Sequence, residues 1–124
     1  MIVTKASPWT FQETVSRLET VIAAKGLKLF TVSDHSGEAH AHGLSLRDTN
    51  VVVFGSLIAG TPVMQARPLA ALDLSLKVLV WDDGGQTQLS YTSPDELAAR
   101  YDLDDELTAR LAGIDAVTDE AIAR

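Results

Sequence analysis

The sequence contains no cysteine, which excludes disulfides, thiolate nucleophiles and cysteine-ligated zinc. Long apolar runs are also missing. None reaches the roughly 18 residues that a membrane-crossing helix needs, so no membrane span is expected. Residues 1–8 show no basic segment leading into an apolar one, so no signal peptide is expected. Together these absences set the expectation of a cytoplasmic protein. Basic residues are scarce, with 10 Lys+Arg against 17 Asp+Glu for a net charge of −7, and they are dispersed along the chain. That argues against nucleic acid and anionic lipid as partners, because both require clustered Lys/Arg. Aromatic residues make up only 6% of the chain.

What is present is a chain of 124 residues, 46% of them hydrophobic. This composition is too apolar for disorder and matches one domain over residues 1–124. A core over about residues 1–100 precedes an acidic helical tail. Nine of the 17 carboxylates lie from Asp95 onward, and before Asp95 eight carboxylates meet seven Lys+Arg. The central region is therefore close to neutral, and the global charge does not bar an anionic ligand from it.

The pattern alternates helix and strand signals. Residues 2–4 read as a short strand. Thr10 and Glu13 form a capping box, and Phe11, Val15, Leu18 and Ile22 then make one apolar stripe, so a helix is expected over about residues 10–25, closed at Gly26. Residues 27–32 read as a strand, and Ser36 starts a short helix through His42. The β-branched run Asn50-Val51-Val52-Val53-Phe54 reads as a strand covered on both faces or at a dimer contact. Residues 55–60 read as a turn. Thr61 caps a further helix with Pro62 at its first position, ended by Pro68. Residues 75–81 and 86–91 pair through the Asp82-Asp83-Gly84-Gly85 hairpin turn. Ser93-Pro94-Asp95-Glu96 opens a broken acidic helical tail. Early and late helices around a run of strands predict an α+β two-layer sandwich, with helices packed on a mixed or antiparallel sheet of about four or five strands.

The chemistry-bearing residues are few. All three histidines fall within Asp34-His35-Ser36-Gly37-Glu38-Ala39-His40-Ala41-His42. On a helix His35, Glu38 and His42 share a face, a donor set that suits a divalent transition metal, although the HExxH spacing is absent. His40 and His42 share a side only in a strand. Asp34 beside His35 allows an acid/base pair, with Asp34 as the orienting group; the alternative is that Asp34 accepts backbone N–H groups at the strand end. Gly55 and Gly60 flank a strand-to-helix junction but lack the lysine of a phosphate-binding loop. No GxSxG elbow occurs. Asp102, Asp104, Asp105 and Glu106 lack the spacing of a calcium loop and read as a helix start. Trp9 and Trp81 read as packing residues.

The ordered set Asp34-His35, Val52-Val53-Phe54-Gly55, Gly60-Thr61-Pro62-Val63-Met64-Gln65, Pro68-Leu69-Ala70-Ala71-Leu72-Asp73-Leu74 and the Trp81 to Tyr91 hairpin resembles the domain-of-unknown-function family 302. The resemblance runs from about Ser7 to Tyr101. The family's Phe-Gly is typically followed by Asn-Pro, where this chain has Ser56-Leu57, and its Leu-Pro corresponds to Leu74-Ser75. His40 and His42 are outside the family pattern. The resemblance implies a TT-1751-like fold and a homodimer, and supplies no activity or cofactor. It places a ligand-binding site, if the family has one, at Asp34, His35, Phe54, Gly55, Thr61, Met64 and Asp73.

The leading expectation is therefore a small homodimeric module that binds a small ligand or a protein partner. An enzyme using Asp34-His35 and a divalent-metal binder using His35, Glu38 and His42 are the alternatives. The ligand, the reaction and the strand order are left open by the sequence.

Overall fold

The computed structural model describes residues 1–124. Its strands are β1 (Ile2–Ala6), β2 (Lys28–Asp34), β3 (Thr49–Gly55), β4 (Leu76–Asp83) and β5 (Gln86–Thr92). Its helices are α1 (Phe11–Ala24), α2 (His35–Ala41), α3 (Leu57–Ala66), α4 (Pro94–Tyr101), α5 (Asp105–Ala109) and α6 (Gly113–Ile122), with a 3₁₀ turn at Pro68–Leu72. The strands form one antiparallel sheet in the order β1-β5-β4-β3-β2. The α+β two-layer architecture is as the sequence predicts.

The core lies on one face of the sheet. Val52 and Phe54 of β3, Val78 and Val80 of β4, and Leu89 and Tyr91 of β5 meet Leu18 and Ile22 of α1 and Ile114, Val117 and Ala121 of α6. The period-two alternation of the strands delivers this face, and the stripe predicted on α1 meets it. β3 is an interior strand between β2 and β4, but it is fully buried on one side only. Val51 and Val53 point the other way and are half-buried, as are Leu79 and Trp81 of β4. A second, smaller core holds Val63, Ala70, Leu97 and Leu111, joining α3, the 3₁₀ turn, α4 and the α5–α6 junction.

Local signals explain most boundaries. Thr10 Oγ1 accepts from the Glu13 N–H at 3.1 Å and starts α1. Gly26, at φ +69°, turns the chain out of it. Gly84 and Gly85 both take positive φ, and Asp82 Oδ1 accepts from the Gly85 N–H at 3.0 Å, which closes the β4–β5 hairpin.

Two starts differ from the sequence reading. Asp34 rather than Ser36 caps α2, accepting from the Gly37 N–H at 3.0 Å. α3 begins at Leu57 rather than after Thr61, because Ser56 accepts from the Ala59 N–H at 3.2 Å. Residues 57–60 are therefore helix, not turn, and Pro62 sits inside α3. The missing Pro62 N–H spares only the carbonyl of Ile58, a residue 87% exposed whose oxygen water can satisfy.

Candidate functional site

An apolar cavity opens where β3 ends. Its volume is about 270 Å³, and nine of its 15 lining residues are hydrophobic, enough to enclose a small apolar body. Phe54 and Gly55 form its floor as β3 turns into α3. Gly60 and Met64, on α3, form one wall. Leu74, Ser75 and Leu76 lead into β4 opposite them, and Arg110, Leu111 and Gly113 close the site from the α5–α6 junction. The β2–β3 register shifts between Leu29 and Thr31, leaving Phe30 unpaired in a bulge. The Phe30 ring accordingly reaches the cavity, where its edge would lie 3.6 Å from a Cβ at Gly55. Phe30 and Leu57, 42% and 64% exposed, give the cavity an apolar mouth.

Of the residues implied by the family resemblance, the structure gathers Phe54, Gly55 and Met64 here. It separates the other four. Asp34 pairs with Asn50 at the opposite end of β3, and four residues of strand to Phe54 amount to roughly 14 Å. Asp34 Oδ1 is occupied by the Gly37 N–H and by the Ser36 hydroxyl at 3.4 Å. In its hydrogen-bonding orientation the Asn50 amide also donates to Asp34, at 2.8 Å. Asp34 is thus a helix cap and does not orient an imidazole. His35 is exposed at the first position of α2, away from both Thr61 and Asp73, so the expected acid/base cleft does not form. Thr61 is exposed on α3 and does not line the cavity.

Asp73 lies beside the cavity rather than in it. Its carboxylate accepts from the Tyr101 hydroxyl and, at 2.8 Å, from Arg100. These two partners, the tyrosine foremost, hold Asp73 below the usual carboxylate range, and the same bond raises Tyr101. Asp73 thus ties the 3₁₀ turn to α4.

The metal expectation is corrected by local geometry. His35, Glu38 and His42 do not form a group able to hold a metal ion. α2 is only seven residues long, and His42 lies past its end, where its Nδ1 pairs with the Glu38 carbonyl at 2.9 Å. His40 Nε2 is 3.2 Å from the Leu46 carbonyl. The tryptophans are elsewhere too: Trp9 stacks under Arg17 at 4.4 Å, and Trp81 donates to Ser90 at 3.0 Å.

A polar cluster outside the cavity joins β1 to α6. Lys5 Nζ donates to Thr118 Oγ1 and Asp119 Oδ1, each at 2.8 Å, and lies 5.2 Å from the Tyr91 ring centre. Burial pulls Lys5 down, but the hydrogen bonds to Asp119 and Tyr91 outweigh it and its pKa is raised. Burial and the bond donated to Asp115 raise Tyr91. Every polar end here is satisfied within the protein, as a structural tie requires.

Sequence reasoning missed Phe30, Gly60, Ser75 and Arg110 as cavity residues. Arg110 did leave a signal. It is the one basic residue between Arg100 and Arg124 in the acidic tail, though four residues after Glu106 it also reads as an i,i+4 partner.

Comparison with known proteins adds a family and a fold. The family model described as "Domain of unknown function DUF302" matches residues 3–121. A protein named fluoride-specific ion channel FluC 1, from Brucella suis, is 34% identical over 122 residues, covering 94% of this chain and 48% of that protein. FluC 2 of Brucella melitensis is equally identical, with 45% of its length covered. The chain thus spans about half the length of these curated relatives. The crystal structure of an uncharacterized conserved DUF302 protein from Bacillus stearothermophilus superimposes with a TM-score of 0.81 at 18% identity, covering 98% of this chain and 94% of that one. That likeness shows the fold.

Proposed function

The chain belongs to the DUF302 family, and on that premise we propose that it is a small-ligand-binding module whose site is the cavity at the end of β3. The observation that carries this reading is the cavity itself: about 270 Å³, apolar, and framed by four separate segments of the chain. Its lining holds no histidine, aspartate or glutamate. The Ser56 and Ser75 hydroxyls therefore have no base beside them in the site, which favours binding over nucleophilic or acid/base catalysis.

A thermal-shift screen of small apolar and amphipathic molecules tests the reading. Ligand at 100 times its Kd stabilises by about 2.7 kcal/mol. For a chain of 124 residues this raises the midpoint by on the order of 10 °C. The Gly60→Leu variant, whose side chain would occupy the cavity, should lose the shift. If none of the molecules shifts the wild type, the reading fails.

The names of the curated relatives transfer less. No helix here is long and apolar enough to cross a membrane. In this proposal the shared stretch is a binding module, joined in those relatives to the part that conducts.

The proposal extends to a homodimer. Support comes from the sheet face opposite α1 and α6, where Val51, Val53, Leu79 and Trp81 form a half-buried apolar band.

A further inference from the structure

The charge in the cavity says more about its occupant than its shape does. Arg110 is the only ionisable residue in the lining. Its Nε is buried and has no hydrogen-bond partner, although the side chain as a whole is 34% exposed. Its terminal nitrogen stands 3.6 Å from Glu106, a carboxylate that is 80% exposed. Charge-assisted hydrogen bonds close at about 2.7–2.9 Å, so this pair leaves the guanidinium fork unfilled. Lys5 and Arg17 contrast with it. Lys5 has two side-chain acceptors at 2.8 Å, and Arg17 donates to the Ala121 and Ala123 carbonyls at 2.7 Å each. A buried donor without a partner is costly, and here it borders an apolar cavity with no carboxylate to meet it. Gly113, the first residue of α6, lines the same wall, and the cap residue Ala112 offers no side-chain acceptor to that helix end.

Resting on the cavity reading above, we propose that the ligand is an amphipathic monoanion. Its apolar body lies among Phe30, Phe54, Met64 and Leu74, and its carboxylate head pairs with Arg110. The positive end of the α6 dipole favours the same charge. The volume of about 270 Å³ equals roughly nine waters at about 30 Å³ each, so the body is of medium length rather than a long acyl chain.

Isothermal titration with three probes of equal length decides this: octanoate, 1-octanol and octylammonium. Wild type should bind octanoate at least about tenfold tighter than 1-octanol, as a charge-assisted bond predicts, and octylammonium weakest. Arg110→Gln should bring octanoate and 1-octanol to within about twofold of each other. Gly60→Leu should abolish both; a Cβ at Gly60 meets nothing within 4 Å, so the backbone there accepts a side chain. Equal binding of octanoate and 1-octanol, or preference for octylammonium, overturns the anion assignment and leaves the cavity reading standing. Failure of all three probes overturns both. The wild-type ranking decides the charge question even if Arg110→Gln does not fold.

Discussion

Replacing Gly60 by alanine should stabilise the protein. Gly60 is the fourth residue of α3, and its φ is not in the left-handed region, so glycine's conformational freedom is not needed there. A Cβ built at Gly60 meets no heavy atom within 4 Å. The new methyl therefore neither clashes nor packs, and the change acts through the backbone alone. Glycine in a helix interior is about 0.8–1.0 kcal/mol less favourable than alanine. Pro62, two residues on, already weakens this turn, so the gain should be about 0.5–1 kcal/mol. With an unfolding entropy near 2.1 cal/mol/K per residue, the midpoint of this 124-residue chain should rise by about 2–4 °C. Urea titration should show a higher midpoint concentration with an unchanged slope, since the exposed surface is the same. A lower midpoint would refute the reasoning, because it would mean that the space beside Gly60 is filled in solution.

Two further outcomes follow from the site and the sheet. Asp73→Asn should lower stability at pH 7, and the gap from wild type should close as the pH falls below about 4. The folded carboxylate titrates below its unfolded value, so its contribution is present above the unfolded pKa and lost on acidification through the folded one. Urea midpoints of the two proteins across that range check the sign, and a gap that widens in acid would contradict it. Light scattering at micromolar concentration should return twice the 13.3 kDa chain mass, and Trp81→Asp on the uncovered face should return the monomer; a wild-type monomer would end the dimer proposal.

Much of the fold was legible because it rests on local chemistry. The Thr10 cap, the α1 stripe, Gly26 and the double-glycine hairpin act within a few residues of themselves. The start of α3 was not, because Ser56 and Thr61 can both cap, and Gly55 and Gly60 make residues 55–60 read as a turn. Propensity alone does not decide between such neighbours; in the structure it is Ser56 that makes the cap, accepting from the Ala59 N–H. The site was legible only in part for a different reason. Asp34 ends β2 and His35 follows it, but antiparallel pairing sets Asp34 against Asn50, at the wrong end of β3. Arg110 and Leu111 reach the cavity from about 50 residues downstream of Phe54, and no spacing rule announces such a meeting.

The pairing of α1 with α6 has a consequence for how the chain is made. Leu18 and Ile22 are covered by Val117 and Ala121, about 100 residues later in synthesis. At about 5–20 residues per second, the apolar side of α1 waits roughly 5–20 s for its cover. During that interval the nascent sheet has no second lid on its core face, so folding completes only after α6 has cleared the ribosome. Any unit fused behind residue 124 must therefore leave that helix free to dock, and a stall before residue 113 should expose the growing chain to chaperones and proteases.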